Sequence, residues 1–284
     1  MDERLAALLH QLELERLEVN IFRGESRDIG SPQVYGGQVL GQALKAAYAT
    51  VDADRAAHSL HAYFLRRGDF NAPIVYFVDR SRDGHSFTSR RVTAIQHGEQ
   101  IFHLSASFQR PESGLEHQSV KPDVPPPEAV PETELLPELL ARMPESLRQF
   151  YLRARPFESR MVRTDAASRP ATQCLWIRAV DRLPDDDALH RCLLAYASDF
   201  YLMPTATLAH PLDYPRQQFL MASIDHAMWF HQPVRVDEWL LCVTDSPSAS
   251  GARGFTRGSI YDRAGLLVAS MAQEGLMRVV AGPA

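Results

Sequence analysis

Long hydrophobic runs are missing from this sequence, and so is any dense block of basic residues. No stretch approaches the roughly 18 apolar residues that a membrane-spanning helix needs. The formal net charge is −5 and the basic residues are scattered, so the sequence lacks the electrostatic footprint of a nucleic-acid-binding protein. We therefore expect neither a membrane protein nor a nucleic-acid-binding protein.

Cysteine is scarce as well. Cys174, Cys192 and Cys242 lie far apart in apolar surroundings, without a CxxC or Cys/His ligand spacing. This favours small buried thiols in a reducing compartment over a disulfide framework or a zinc site. The N-terminal segment has no apolar signal-peptide core, and Gly282-Pro283-Ala284 is not a peroxisomal address, so we expect a cytoplasmic protein.

Several standard catalytic signatures are also absent. The sequence contains no GxSxG, HExxH, GxxxxGK[ST] or GxGxxG segment. This disfavours a serine hydrolase, a zinc hydrolase and a nucleotide-dependent enzyme. Candidate functional residues must then be polar side chains at positions where the pattern calls for apolar ones.

The composition is that of a globular protein with room for two modest domains: 284 residues, 45% hydrophobic and 23% charged. In the first half, apolar spacing predicts an amphipathic helix over residues 3–18, a short strand over 19–22 and a helix from Gln38 to Val51. Four strand-like runs separated by turn residues follow at 60–66, 74–79, 86–96 and 100–108. This order is typical of an antiparallel sheet wrapped around a central helix.

A proline-rich, acidic segment then divides the chain. The composition from Pro111 to about Pro156 predicts a linker with a short helix near residues 132–142. After it we predict strands near 157–162 and 174–179, a helix near 186–202, and strands near 220–231, 239–244, 255–262 and 266–278. The expected division is an N-terminal unit at 1–110, a linker at 111–155 and a C-terminal unit at 156–284.

Short segments of the two halves also match by residue. His61-Ala62-Tyr63-Phe64-Leu65 lies 165 positions before His226-Ala227-Met228-Trp229-Phe230, and Ile74–Val78 lies as far before Trp239–Val243. Ser105–Gln109 is similar to Ala269–Gln273. We predict that one supersecondary unit occurs twice, with chance similarity between apolar strands as the alternative.

One carboxylate interrupts the pattern of the second-half helix. Asp199 falls at the edge of an apolar face that includes Tyr196 and Phe200, while Arg191 and Ser198 are expected to point away. A carboxylate there would be partly desolvated and close to the negative end of the helix dipole. The first-half helix contains no acidic residue, which suggests that the two halves have different functions. An Asp that caps a loop or pairs with an arginine is the alternative.

Other polar residues give weaker signals. Ser223 could hold a reactant or merely satisfy a backbone group. Gln273 cannot act as a base, but its amide can position a water. Asp225 and His226 look like a dyad, yet successive strand residues point to opposite faces, so we interpret His226 as structural.

Together with their surroundings, these residues resemble the acyl-CoA thioesterase II family. The matching segments, in order along nearly the whole chain, are 17–24, Val34-Tyr35-Gly36-Gly37-Gln38, 58–66, 82–87, 106–109, Tyr196-Ala197-Ser198-Asp199, 223–231 and Gln273-Glu274-Gly275. The resemblance implies an α+β double-hotdog fold, in which two fused units each wrap an antiparallel sheet around a central helix. It also implies a homo-oligomer, a dimer or a tetramer, because hotdog sheet edges commonly pair between subunits.

The resemblance implies a reaction and its residues too. The family's catalytic Asp, hydroxyl and Gln carry over to Asp199, Ser223 and Gln273, with serine where close bacterial relatives often have threonine. They would hold and activate a water that hydrolyses fatty acyl-CoA, and no metal or cofactor is implied. Gly36, Gly37 and Gln38 at the helix entry would approach the substrate, although tight helix–sheet packing explains these glycines as well.

Two other functions are alternatives to this one. A hotdog hydratase or dehydratase needs an Asp and a His in a Gly-Asp-x-Asn-Pro-x-His segment, which Gly68-Asp69-Phe70-Asn71-Ala72-Pro73 approaches without its Asn-Pro adjacency or its His. That segment is better interpreted as a turn. A non-catalytic acyl-CoA-binding module would not need Asp199, so the combined Asp, hydroxyl and Gln favour the enzyme.

Overall fold

The structure is a computed structural model that describes residues 1–31, 33–132, 148, 153, 155–162, 172–210 and 217–281, with only the main chain at 217–219 and 281. The predicted linker helix near 132–142 lies outside the described residues, apart from Glu132. No helix in the described ranges is long and apolar enough to cross a membrane. All three cysteines are buried and free, as predicted.

The first half contains an N-terminal helix, a central helix and six described strands. Helix α1 (Glu3–Leu12) begins after Asp2, whose carboxylate accepts from the Arg4 N–H, and it buries an apolar face that includes Leu5 and Leu8. The central helix is α2 (Gly36–Tyr48). The strands are β1 (Glu15–Glu18), β2 (Ile21–Gly24), β3 (Ala56–Phe64), β4 (Ile74–Asp83), β5 (Phe87–Gln96) and β6 (Glu99–Gln109).

The second half again has a helix within a series of strands. Its elements are β7 (Phe157–Val162), β8 (Thr172–Ala179), α3 (Asp187–Ser198), α4 (Leu202–Thr207), β9 (Gln217–Ser223), β10 (Asp225–Phe230), β11 (Leu240–Ser250), β12 (Arg253–Tyr261) and β13 (Leu267–Ala281). Asp186 caps the start of α3 by accepting from the Leu189 N–H. A short 3-10 turn at Pro127–Ala129 lies between the halves.

The thirteen described strands form one antiparallel sheet. Its order is β1-β2-β4-β5-β6-β3-β10-β13-β12-β11-β8-β7, and β9 pairs with the end of β13. The halves join where β3 pairs with β10, with His61 opposite Ala227 and Ala62 opposite His226. Because His61 and His226 are counterparts in the sequence repeat, this reciprocal register relates the halves by a local two-fold axis. The expected double-hotdog architecture is confirmed.

The two central helices, α2 and α3, pack antiparallel, with Gly37 near Tyr196 and Gly41 near Cys192. Their backbones lie close together because the residues at the contact are small. A Cβ added at Gly41 would lie 3.1 Å from the Cys192 carbonyl oxygen, and one at Gly37 would overlap the Tyr196 carbonyl. Leu40 and Leu193 are fully buried around this contact. Burying each such leucine stabilises the fold by roughly 1.5–3 kcal/mol.

Several predicted boundaries were wrong. The first helix ends at Leu12 rather than at residue 18, and the predicted strand at 19–22 is instead the turn and second strand of the β1–β2 hairpin. The segment 220–231 is two strands that separate at Ile224. The helix predicted at 186–202 stops at Ser198, and α4 begins a new helix at Leu202.

Arg191 and Ser198 were expected to point away from the core, and this was wrong because α3 is covered on more than one side. Arg191 is 5% exposed, bonded to Asp187 and to the Ala57 carbonyl oxygen on β3. Ser198 is 1% exposed and donates to the Ala195 carbonyl. A helix enclosed by a second helix and a sheet has little solvent-facing surface, so periodicity misassigns its polar residues.

Candidate functional site

Asp199 lies at the C-terminal end of α3, where it is the C-cap residue with φ −72° and ψ −12°. Its side chain is half-buried, so the expected partial desolvation is observed. From the described residues the carboxylate accepts two hydrogen bonds, both on Oδ1, whose donors lie 24 and 74 positions away in sequence. It therefore ties a helix end to two distant strands.

Ser223 is the last residue of β9, at the break before β10. Its Oγ donates to Asp199 Oδ1 at 3.2 Å. β13 remains the neighbour on both sides of this break, with a register shift of one residue, and β3 joins as a second neighbour from Asp225 onward. At the break the Ile224 N–H donates to the Glu274 carbonyl on β13, and the Ile224 carbonyl accepts from the Phe64 N–H at the end of β3. This irregularity places the Ser223 hydroxyl beside the end of α3.

Gln273 reaches the same carboxylate from the middle of β13. Its Nε2 donates to Asp199 Oδ1 at 2.8 Å, and the side chain is fully buried. Its Oε1 has no hydrogen-bond partner among the described residues. A buried amide oxygen without a partner costs roughly 1–3 kcal/mol, which makes it a ready acceptor for a water or a ligand.

The N-terminus of α2 approaches the carboxylate from the other half of the molecule. A Cβ added at Gly36 would lie 2.6 Å from Asp199 Oδ2 and 2.9 Å from the Phe64 ring, so only glycine fits there without displacement. Among the described residues, no side chain caps this helix end. Its first N–H groups and the positive end of its dipole therefore lie next to the site.

The other two residues of the predicted substrate-binding segment have different surroundings. Gly37 packs against the Tyr196 carbonyl on α3 and the Tyr35 ring, so its close contact is with a helix rather than with the sheet. Gln38 is fully buried and bonds to Gln11 and, at 3.3 Å, to the Glu25 carbonyl. The structure thus brings Gly36 to the carboxylate, whereas the Gln38 side chain holds the loop after β2 against α2.

His226 is enclosed next to the site without bonding to the carboxylate. It is 1% exposed, and its Nε2 lies 2.9 Å from Ser198 Oγ. Burial lowers its pKa to about 4 despite the opposing charge of Asp199, so the ring is neutral near pH 7. Asp225 instead accepts from the Glu274 N–H at 2.7 Å. Neighbouring residues on β10 thus have separate partners, in line with the sequence argument against a dyad.

Sequence reasoning missed an aromatic layer that borders Asp199. Tyr35 stacks on Phe200 at 4.2 Å and meets Tyr196 edge-on at 5.1 Å. Burial, and to a lesser degree the charge of Asp199, raises the pKa of Tyr35 well above its usual value, and its neutral hydroxyl donates to the Tyr196 carbonyl. The available signal was the aromatic residues of two segments, since Tyr35 precedes Gly36-Gly37 and Tyr196 and Phe200 lie on either side of Asp199.

The described residues contain no group of three or more His, Cys, Asp or Glu side chains arranged to hold a metal ion. The chemistry available from this part of the chain is that of a carboxylate, a hydroxyl, a buried amide and a helix N-terminus. Such a set can orient a water and stabilise negative charge on a carbonyl oxygen.

Comparison with known proteins identifies the family. The profile described as acyl-CoA thioesterase matches residues 151–276, and the acyl-CoA thioesterase N-terminal domain profile matches 23–109. Acyl-CoA thioesterase 2 of Haemophilus influenzae is 42% identical over 286 residues, 98% of this chain and 99% of that one. The chain belongs to the acyl-CoA thioesterase II family. It is therefore a thioester hydrolase.

Solved structures of related proteins agree with this family assignment and with the fold. The crystal structure of acyl-CoA thioesterase II TesB2 from Mycobacterium marinum matches with a TM-score of 0.82 and 42% identity, over 96% of this chain and 98% of that one. A hot dog fold protein from Alicyclobacillus acidocaldarius matches with a TM-score of 0.78 at 23% identity, over 98% and 99% of the two chains, which supports the fold alone. This acyl-CoA thioesterase thus shares its architecture with relatives along nearly its full length.

Proposed function

We propose that this thioesterase hydrolyses fatty acyl-CoA to a free fatty acid and CoA, with a water held and activated by Asp199, Ser223 and Gln273. The observation that carries the proposal is the convergence of the Ser223 and Gln273 donors on Asp199 Oδ1. Both donors fix the carboxylate through one oxygen. The other oxygen, Oδ2, faces Gly36 and is the one that receives the proton of the water.

In this mechanism the water donates one hydrogen to Asp199 Oδ2 and the other to Gln273 Oε1. As its oxygen attacks the thioester carbonyl carbon, Asp199 takes the proton and the carbonyl oxygen becomes an oxyanion. Collapse of the tetrahedral intermediate breaks the carbon–sulfur bond, and the proton passes to the departing CoA thiolate. Positioned base catalysis of this kind supplies typically 10²–10⁴-fold in rate.

The first-half helix contributes the electrostatic part of the site. The α2 N-terminus adjoins Asp199 at Gly36, and its N-cap residue Tyr35 makes no side-chain capping hydrogen bond in the described part of the chain. Its N–H groups and dipole are suited to stabilising the oxyanion, since backbone donors aimed at developing charge are worth about 10²–10³-fold each. The C-terminal unit at 156–284 would then carry the catalytic side chains, and the N-terminal unit at 1–110 would complete the site across the linker at 111–155.

The alternative hydratase segment lies in a turn. The Asp69 side chain accepts from the Asn71 N–H at 2.8 Å and contacts His97, so it is occupied within an exposed loop. A local Asx turn of this kind needs no catalytic explanation.

The assembly remains a prediction. Several aromatic side chains on the outer face of the sheet are partly exposed near the junction of the halves, including Tyr63 at 49% and Trp229 at 37%. Such exposure supports a homo-oligomer, and equilibrium sedimentation would distinguish a dimer from a tetramer.

Oxygen-18 labelling tests the direct attack of water. Enzyme in excess over acyl-CoA is allowed one turnover in H₂¹⁸O, and the fatty acid is analysed by mass spectrometry. We expect one ¹⁸O atom in the product and none in Asp199. A first turnover that yields unlabelled fatty acid, with ¹⁸O appearing in the Asp199 carboxyl group, would indicate a covalent acyl-aspartate and overturn the proposal.

A further inference from the structure

A positively charged cleft lies beside the aromatic layer of the site. It is partly open to solvent and lies between α1, the loop after β2 and the residues before β7. Four arginines line it, namely Arg4, Arg27, Arg153 and Arg155. Asp28 is the one acid among its described lining residues. Since the whole chain has a net charge of −5, this concentration of arginine is local.

Among the described residues that line the cleft, four arginines face one acid. Asp28 is paired with Arg153 at 3.1 Å, and Arg4 bonds to Asp2 at 2.8 Å. The side chains of Arg153 and Arg4 nevertheless keep 46% and 42% of their surface exposed, and Arg27 is exposed as well. Several guanidinium groups can therefore meet a ligand in the cleft at the same time.

The cleft leads toward the reacting carboxylate. Tyr196 and Phe200 form part of its wall, and Phe200 directly follows Asp199 in the chain. Arg155 lies over the Phe200 ring at 4.4 Å, and Tyr35 also stacks on that ring. One layer of aromatic side chains thus separates the arginines from Asp199 and Gly36.

We propose that this arginine cleft binds the phosphorylated nucleotide end of coenzyme A, an inference that rests on the proposed function. That end carries a diphosphate and a 3′-phosphate monoester, the latter with a charge of about −1.5 to −2 at pH 7. Arginine binds phosphate through charge-assisted, often bidentate hydrogen bonds. The pantetheine arm would pass the Tyr35–Phe200 edge and deliver the thioester carbon to Asp199.

The test compares acyl-CoA with acyl-pantetheine, which carries the same acyl group and thioester but no phosphate. The kcat/KM of each substrate is measured for wild type, for the Arg27→Ala, Arg153→Ala double variant and for Arg257→Ala. Arg257 is a suitable control because it is 62% exposed and paired with Asp245 on the β11–β12 hairpin. For the double variant we expect the ratio of kcat/KM for acyl-CoA to that for acyl-pantetheine to fall about tenfold or more, mainly through KM.

The Arg257→Ala control should keep the wild-type ratio of kcat/KM for acyl-CoA to kcat/KM for acyl-pantetheine. In wild type, KM for acyl-CoA should also rise with ionic strength more steeply than KM for acyl-pantetheine. An unchanged ratio in the double variant would overturn the inference while leaving the proposed function intact. An equal loss with both substrates would also overturn it, because the arginines would then act on the fold or the reaction centre. Wild type that hydrolyses neither substrate would remove the proposed function and this inference with it.

Discussion

The amide nitrogen of Gln273 lies 2.8 Å from Asp199 Oδ1, while its own amide oxygen is buried without a partner in the described structure. This amide both fixes the carboxylate and offers an acceptor to the water. Gln273→Met keeps most of the volume and removes both functions. Because hydrogen bonds to charged groups contribute about 1.5–3 kcal/mol, we expect kcat to fall roughly 10- to 100-fold.

The matched control for this variant is Gln109→Met, at the position that the sequence repeat pairs with Gln273. Gln109 is half-buried at the end of β6 and contacts Glu112 at 3.5 Å. We expect its replacement to leave kcat at the wild-type value. Equal losses in the two variants, measured by thiol release on folded protein, would contradict a specific role for Gln273.

The hydroxyl of residue 223 is predicted to matter more than the identity of the residue. Ser223→Ala removes the donor to Asp199 Oδ1 and should lower kcat about tenfold or more. Ser223→Thr keeps a hydroxyl and should stay within about a factor of three of wild type, a difference of well under 1.4 kcal/mol. Steady-state kinetics of the pair decide this, and an alanine variant as active as the threonine variant would count against the proposed role.

Gly36 is predicted to be required by the position of the Asp199 carboxylate. In Gly36→Ala the new Cβ would lie 2.6 Å from Oδ2 and 2.9 Å from the Phe64 ring, so the carboxylate must move. Displacing a positioned base by a fraction of an ångström should lower kcat about tenfold to 100-fold. Overpacking should also reduce the free energy of unfolding by about 1–3 kcal/mol.

Gly114→Ala is the control for this substitution. A Cβ at Gly114 would have no atom of the described residues within 4 Å apart from its chain neighbours, and the residue is exposed. Both kcat and stability should match the wild-type values there. If Gly36→Ala proved fully active, the close approach of α2 to the carboxylate would not be needed for catalysis.

His226 should make the fold sensitive to acid. Burial lowers its pKa from 6.5 to about 4, so between these values the unfolded chain binds a proton that the folded protein does not. Stability from this residue is therefore fully present above about pH 6.5 and is lost as pH falls toward 4. The loss is on the order of 3 kcal/mol.

Urea unfolding of wild type and His226→Gln between pH 7 and pH 4 measures this contribution. The variant should lose less stability on acidification, although it is less stable at pH 7 because the contact with Ser198 is altered. The exposed His117 provides the control, and His117→Gln should follow the wild-type curve. Identical pH dependence of wild type and His226→Gln would show that the buried imidazole does not set this sensitivity.

Most of the fold was predictable because its signals are local. The strands from β3 to β6 have turn residues between them, and the repeat of His61–Leu65 at His226–Phe230 indicated the duplication. The break at Ile224 was not predictable from periodicity. The run 220–231 is continuously strand-like, and it is divided only by a one-residue change of register against β13, where β3 joins from Asp225 onward. That change depends on tertiary structure, yet it positions Ser223.

The site was predictable only in part, because it too depends on tertiary structure. Asp199 gave a signal from the residues themselves, whereas Ser223 and Gln273 became candidates through the family resemblance. Their convergence on one carboxylate oxygen depends on strand register, which cannot be deduced from the sequence pattern. The arginine cleft had no signal at all, since Arg4, Arg27 and Arg153 are brought together by packing of the N-terminal helix against the segment before β7.

The central claim is that Asp199 activates the water, and Asp199→Asn tests it most directly. This variant keeps the size of the side chain but removes the base, and Asp79→Asn on an exposed strand position serves as the control. The measurement is thiol release from an acyl-CoA series of increasing chain length, on proteins with matched unfolding curves. We expect Asp199→Asn to lose about 10²–10⁴-fold in kcat at every chain length, with the control unchanged. Asp199→Asn that releases CoA at the wild-type rate would contradict the account.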